Sequence, residues 1–214
     1  MEHARRDQIE PCVTRDGSIA ATLLREARSG DELAVAEVHV RAWQEAYQGL
    51  IPAEFLDALD PRERAARYTF EAGDPAAPTT VLAVVSEEGP GGDPSLTNCG
   101  EVRSGSPPGP GERIAGFVTF GPSRDADAQG FGEVYALYVD PDRYQGGVGR
   151  LLMAEARRRL RAAGFTAAIL WVLQGNTRAS RFYEREGWTP DGATRVEQPY
   201  GIRSTVDRFR RKLA

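Results

Sequence analysis

Lysine is nearly missing from this chain: Lys212 is the one lysine among 27 basic residues, the rest being arginine, a bias that reads first as base composition. Cysteine and histidine are scarce too. Cys12 and Cys99 are too few for a disulfide framework, and His3 and His39 form no cluster with metal-ligand spacing, so no zinc or other metal site is expected. No apolar run approaches the roughly 18 residues of a membrane span. Met1 to Ala21 carries charge without the apolar segment of a secretory signal, so the expected location is cytoplasmic, with no membrane partner. A basic excess is also lacking. The net charge is -4 and the pI near 5.4, which argues against a general nucleic-acid binder, and Arg157 to Arg161 reads as the solvated face of a helix. What is present is ordinary for a globular protein: 214 residues, 41% hydrophobic, enough apolar side chains to bury a core. That length fits one decorated domain or two small ones.

Residues 1 to 21 are polar and aperiodic and are expected to form a flexible tail. The window 87 to 112 differs in kind, since 12 of its 26 residues are Gly or Pro and Leu96 and Val102 are its only large apolar side chains. It buries too little to order itself and is expected to be a disordered hairpin insertion. Cys99 lies within it, which speaks against a disulfide with Cys12. Residues 22 to 214 are then one domain. Its expected elements are a strand at 22–27, an amphipathic helix at 31–47, and short helices from Pro52 to Leu59 and from Asp60-Pro61 to about Phe70. Strands follow at 79–85, 114–121 and 133–139, then a helix at 147–163 closed by Gly164, a buried strand in 165–173 and a helix from Asn176 to about Gly187. The segment 195–213 is ambiguous: Ile202, Val206, Phe209 and Leu213 have helical spacing, while Ile202, Thr205 and Val206 suit a strand. This order implies a mixed-sheet α/β domain.

The most informative stretch is Glu133-Val-Tyr-Ala-Leu-Tyr-Val-Asp-Pro-Asp-Arg-Tyr-Gln-Gly-Gly-Val-Gly-Arg. A strand ends at Val139, Asp140-Pro141 breaks it, and a helix starts directly after the glycines. The first amides of a helix lack internal partners and sit at the positive end of its dipole, a cradle for phosphate. Glycine at 146, 147 and 149 admits positive φ and close approach of an anion. The dinucleotide fingerprint fails here, because Leu152 stands where its third glycine belongs, and the Walker motif fails for want of a lysine.

What does fit is the acetyl-CoA turn of the GNAT superfamily of N-acetyltransferases, Gln/Arg-x-x-Gly-x-Gly/Ala after a strand and a proline. The chain resembles that family. Gly147 and Gly149 match its glycines, and Pro141 stands at the usual distance; the departure is Tyr144 in the Gln/Arg slot, which in the family sits beside the pyrophosphate. Either the Tyr144 hydroxyl takes over that contact, or Gln145 or Arg143 does. A second match is Asn176-Thr-Arg-Ala-Ser-Arg-Phe-Tyr-Glu-Arg-Glu-Gly-Trp, similar to the family's Asn-x-x-Ala-x-x-Phe-Tyr-x-x-x-Gly-Phe, with Asn176, Ala179, Phe182, Tyr183, Gly187 and Trp188 in register. The third, Ala42-Trp-Gln-Glu-Ala-Tyr-Gln-Gly-Leu-Ile-Pro, looks like the acceptor-side helix and turn of many bacterial members, although Trp43 and Tyr47 would serve equally well as core.

The resemblance implies a mixed, mostly antiparallel sheet flanked by helices, and transfer of an acetyl group from acetyl-CoA, or another short acyl-CoA, to a primary amine in one ternary complex. The implied cosubstrate contacts are Leu137, Tyr138, Val139, Tyr144, Gln145, Gly146, Gly147, Val148, Gly149, Arg150, Asn176, Ala179, Ser180 and Tyr183. Trp43, Glu45 and Tyr47 are implied on the acceptor side. An alkylammonium with pKa about 10 must lose a proton before attack, and the CoA thiolate benefits from an acid. Tyr183 is the candidate acid, its alternative a core aromatic; Glu133 is the candidate base, its alternative a solvated strand-end carboxylate. The opposing reading is a non-catalytic acyl-CoA sensor on the same fold. The acceptor, small molecule or protein, is not legible, and the oligomeric state is open, a homodimer among the options.

Overall fold

The computed structural model describes residues 11–13, 19–70, 77–86, 111–198 and 201–213. In chain order the elements are β1 (Pro11–Val13), β2 (Ile19–Glu26), α1 (Glu32–Ala46), α2 (Ala53–Asp57), α3 (Pro61–Ala65), β3 (Thr79–Ser86), β4 (Glu112–Pro122), β5 (Gly132–Val139), α4 (Val148–Ala162), β6 (Ala167–Leu173), α5 (Thr177–Arg185), β7 (Thr189–Glu197) and β8 (Ser204–Lys212). The strands form one eight-stranded sheet in the order β1-β2-β3-β4-β5-β6-β8-β7. Every neighbouring pair is antiparallel except β5 and β6, which run parallel. This is the mixed, mostly antiparallel α/β sheet expected.

Each face of the sheet buries its own core. On one side α4 sets Val148, Leu152, Met153, Ala156 and Leu160, at three- and four-residue spacing, against Val81, Ala83, Val118, Val134, Leu170 and Phe209. On the other, Val35 and Val38 of α1 pack on Leu82, Val84, Ile114 and Phe117. A third cluster of Trp43, Ile51 and Leu56 gathers Tyr47, Phe55, Tyr138, Leu173 and Ile202 around the end of α1. Before α1, Asp31 is fully buried and gives its carboxylate to the Arg25 guanidinium at 2.6 and 2.8 Å and to the Arg28 amide at 3.0 Å, pinning the helix start to β2.

Several boundaries depart from the sequence reading or fall outside the described residues. The expected tail is partly paired backbone: β2 begins at Ile19, and Pro11–Val13 lie in register against Ile19 to Ala21, so the run of Ile and two alanines extends the strand beyond Thr22. Residues 1–10 and 14–18 lie outside the described residues, as do 87–110 of the expected insertion, which falls between β3 and β4. Third, α3 stops at Ala65 instead of reaching Phe70, because Tyr68 and Phe70 leave the helix to pack on the α1 side of the sheet. Last, the ambiguous end piece is strand β8, inserted between β6 and β7. The exposed edge of β6 has its ladder satisfied from Leu173↔Val206 to Ala167↔Lys212, which outweighs the helical spacing of four apolar residues. Strand β7 was not anticipated, since Pro190, Asp191 and Gly192 interrupt its pattern and its register shifts between Pro190 and Thr194.

Candidate active site

The sheet opens at its parallel seam. Strands β5 and β6 pair over Gly132↔Ala168, Glu133↔Ile169 and Val134↔Leu170 only, and beyond those residues β5 has no partner on that side. Its other edge remains on β4: Tyr138 pairs with Phe117, Val139 with Gly116, and the Asp140 amide donates to the Ala115 carbonyl at 2.8 Å. Alternation along an antiparallel ladder therefore commits the peptide groups of Tyr138 and Asp140 to β4 and turns those of Leu137 and Val139 into the gap. Gly116 is required here, because a Cβ would stand 2.7 Å from the Tyr138 carbonyl oxygen. Of the three backbone contacts expected from 137 to 139, Leu137 and Val139 face the opening.

A bulge sets which side chains line it. On the β4–β5 ladder Ala136 opposes Thr119 and Val134 opposes Phe120, leaving Tyr135 as the extra residue. Val134, Leu137 and Val139 consequently share the α4 core, while Ala136 and Tyr138 pack toward α1. Alternation about Val134 places Glu133 on the α1 side with Tyr138.

The turn after β5 carries two left-handed residues. Gln145 has φ 68° and Gly147, the N-cap of α4, has φ 83°. For a side-chain-bearing residue that conformation costs about 1 to 2 kcal/mol, and such strain concentrates at binding sites. No side chain caps α4, so the amides of Val148, Gly149 and Arg150 have neither an intrahelical partner nor a capping one. By contrast α5 is closed: Asn176 Oδ1 accepts from the Ala179 amide at 3.0 Å, and the Ser180 hydroxyl donates back to the Asn176 carbonyl. The Val148 side chain is in the core, so only its amide faces the turn. A Cβ on Gly149 would meet Val139 and Phe182 at 3.5 and 3.6 Å, which makes α5 the far wall. Arg41 of α1 ties the turn down through Asp140 at 2.9 Å and Asp142 at 2.6 Å.

Four tyrosines converge on the gap. Tyr183 of α5 packs beside Phe182, Trp188 and Phe209, its ring centroids 5.2 to 6.4 Å from theirs, and burial, with the neighbouring Tyr138, holds its hydroxyl above the ordinary tyrosine range. Tyr47 is raised well above that range by burial and by Tyr138, Tyr183 and Tyr144. Burial also raises Tyr138 and Tyr144. The Tyr144 ring is half-buried and lies under the Arg178 guanidinium at 3.9 Å. Of the residues expected on the acceptor side, Trp43 is 8% exposed and backs Tyr47 edge-on at 5.0 Å, and Glu45 is exposed.

Glu133 is not a solvated strand-end carboxylate. It is 1% exposed, takes the Arg124 amide on Oε2 at 2.9 Å and the Arg124 guanidinium on Oε1 at 2.7 Å, and that guanidinium also covers the Tyr135 ring at 4.1 Å. The loop that presents Arg124 is fixed through Asp125, which accepts from Trp171 Nε1 at 3.0 Å and from Arg195 at 2.6 Å. Another buried group lies one helical turn before Trp43: the His39 ring is tilted 4.5 Å from the Tyr138 ring, its Nδ1 is 2.6 Å from the Tyr68 hydroxyl, and burial, then Arg64, holds its pKa well below 6.5. Sequence reasoning missed Arg41, His39, Arg124 and Arg178, because each acts on a partner 9 to 101 residues away or sits at an unspecified position of a motif. Among the described residues no cluster suited to a metal ion occurs, and no helix is long and apolar enough to cross a membrane.

Comparison with known proteins bears on the family and the fold. Residues 107–188 match the model of the Acetyltransferase (GNAT) family. The chain is 29% identical over 153 residues, 72% of each protein, to the uncharacterized N-acetyltransferase YuaI of Bacillus subtilis (strain 168). It is 37% identical over 81 residues to a mycothiol acetyltransferase of Geodermatophilus obscurus, a match that takes in 26% of that protein. Among solved structures, yncA of Salmonella typhimurium, determined with its cofactor acetyl-CoA, superposes with TM-score 0.56 at 19% identity, over 90% of this chain and 94% of the other. A Thermoplasma acidophilum N-acetyltransferase in complex with coenzyme A gives TM-score 0.55 at 16% identity, over 90% and 99%.

Proposed function

We propose, for a chain that belongs to the GNAT superfamily of N-acetyltransferases, that it moves the acetyl group of acetyl-CoA directly to a primary amine within a ternary complex. The observation that carries this reading is the seam itself: a strand edge released after Val134 and ending at an uncapped helix start, with Tyr183 of α5 packed against the α4 core. The groups present fit an acyl-CoA thioester. The amides of 148 to 150 and the left-handed turn through Gln145 and Gly147 would hold its diphosphate, with Asn176, Ala179 and Ser180 along the adjoining helix. The peptide groups of Leu137 and Val139 would pair with the pantetheine amides as an added strand, and an N–H in that gap would steady the carbonyl oxygen as it gains charge.

The chemistry divides between two side chains. Glu133 takes the proton of the attacking amine, directly or through water. The ammonium gives up one proton to become a nucleophile, the nitrogen loses a second, to water, as its bond to the acetyl carbon is completed, and the C–S pair departs with the CoA sulfur. Tyr183 stays protonated across the working pH range because its pKa is raised. Complete transfer from it to a thiolate of pKa about 8.5 is uphill, so its hydroxyl acts chiefly as a hydrogen-bond donor that stabilises the departing sulfur. Trp43, Tyr47 and Glu45 border the amine's approach. The test is thiol release from acetyl-CoA in the presence of an amine panel covering polyamines, amino acids, aminoglycosides and peptide N-termini, with the acetylated product identified by mass. Amine-dependent release is expected. A protein that binds the thioester and consumes none with any amine is an acyl-CoA sensor, and the proposal fails.

A further inference from the structure

The family's acetyl-CoA turn places a Gln or Arg beside the diphosphate, and this chain has Tyr144 there, a residue without charge. The structure supplies a cation from elsewhere. Arg178, in the first turn of α5, lays its guanidinium 3.9 Å above the Tyr144 ring. Arg178 and Phe182 are one turn apart on the same face of α5, and Phe182 borders Gly149 in the first turn of α4. The guanidinium therefore stands at the corner where the left-handed turn meets the uncapped amides. Of the neighbouring cations, Arg41 is spent on Asp140 and Asp142, while Arg150, in the first turn of α4, is exposed. Arg178 is ion-paired to no described carboxylate.

We infer that Arg178 is the diphosphate-binding side chain of this protein, and that Tyr144 is its stacking platform. This rests on the acyl-CoA reading above. The Arg178 guanidinium lies over the Tyr144 ring and also acts on its hydroxyl; its fork of donors suits two phosphate oxygens, and the ring limits the rotamers that binding must freeze. The motif's conserved chemistry is thus split across two elements: the turn contributes a flat surface, the neighbouring helix the charge. Tyr144→Phe should keep the platform, whereas Tyr144→Leu should lose it together with the positioning of Arg178.

The experiment compares Kd by calorimetry, and KM, across three thioesters: acetyl-CoA, its 3′-dephospho form and S-acetylpantetheine, which has no phosphate. Arg178→Ala is expected to weaken acetyl-CoA and the dephospho form alike, by about 10- to 100-fold, the loss of a hydrogen bond to a charged group. S-acetylpantetheine should be affected less than twofold. Tyr144→Leu should reproduce most of that loss and add little to Arg178→Ala, and Tyr144→Gln in the Arg178→Ala background should restore part of it. An effect on acetyl-CoA that disappears in the dephospho form would reassign Arg178 to the 3′-phosphate and overturn the inference. So would an unchanged Kd for all three. If the wild type itself binds no CoA thioester, the acyl-CoA reading fails first, and the variant comparison is not what refutes it.

Discussion

Removing Arg124 and removing Glu133 should have opposite consequences, although they break the same ion pair. The Glu133 side chain is 1% exposed and the Arg124 side chain 63% exposed. Arg124→Ala leaves a carboxylate buried with only the residue 124 amide for company. Breaking a fully buried pair from one side costs about 3 to 5 kcal/mol. Water reaching the vacated guanidinium position and the surviving main-chain hydrogen bond reduce this to about 2 kcal/mol. Glu133→Gln, of nearly equal size, keeps an acceptor for that amide and releases a guanidinium already in contact with solvent, at a cost under about 1 kcal/mol. With an m-value of about 2 kcal/mol/M, urea unfolding followed by the fluorescence of Trp43, Trp171 and Trp188 should show Arg124→Ala shifted down by about 1 M and Glu133→Gln by less than half of that. Activity should rank the other way. Glu133→Gln should lose about 10²- to 10⁴-fold in kcat as a missing base, while folded Arg124→Ala retains the carboxylate and loses less. Equal midpoints for the two variants, or a greater loss of stability in Glu133→Gln, would refute the burial argument. A fully active Glu133→Gln protein would dismiss it as the base.

Tyr183→Phe should lower kcat by about 10- to 100-fold while the Kd for CoA stays within twofold, because in the proposed mechanism the hydroxyl meets the sulfur while the ring alone fills the wall; full activity would dismiss its role. Gly149→Ala should be tolerated, since its Cβ finds ordinary contacts with Val139 and Phe182, whereas Gly149→Trp should abolish CoA binding by filling the turn, as read by calorimetry. His39 makes a pH prediction. Its folded-state pKa is depressed below an unfolded value near 6.5, so the unfolded chain binds the extra proton first and stability falls as pH drops. The loss should begin near pH 6.5 and proceed at about 1.4 kcal/mol per unit until the folded pKa is reached. His39→Gln should flatten that limb between pH 6.5 and 5.5; an unchanged limb would show that other groups carry it.

The strand, turn and helix from Glu133 to Ala163 were legible because their signals are local: Pro141 ends the strand, two glycines permit the turn, and α4 repeats its apolar residues at helical spacing. The two-turn separation of Asn176 and Tyr183 was legible for the same reason. The opening between β5 and β6 was not, since it depends on where a parallel ladder stops, and the Tyr135 bulge that turns Glu133 toward α1 is a property of two strands together. Glu133 was visible as a carboxylate and invisible as a buried ion, because Arg124 reaches it across a turn. Strand β8 misled by carrying arginines on both faces, some laid over Trp171 and Phe131, which obscured a period of two. Arg178 looked like any solvent-facing helix residue until Tyr144 was found beneath it.

Direct transfer in one complex is tested most plainly by initial rates of thiol release with acetyl-CoA and an active amine both varied. On the proposed direct transfer no covalent intermediate forms, so double-reciprocal lines should converge, and protein quenched during turnover should carry no acetyl group by intact mass. Parallel lines with an acetylated side chain would contradict the account, because they require the acetyl group to leave CoA for the protein before the amine binds.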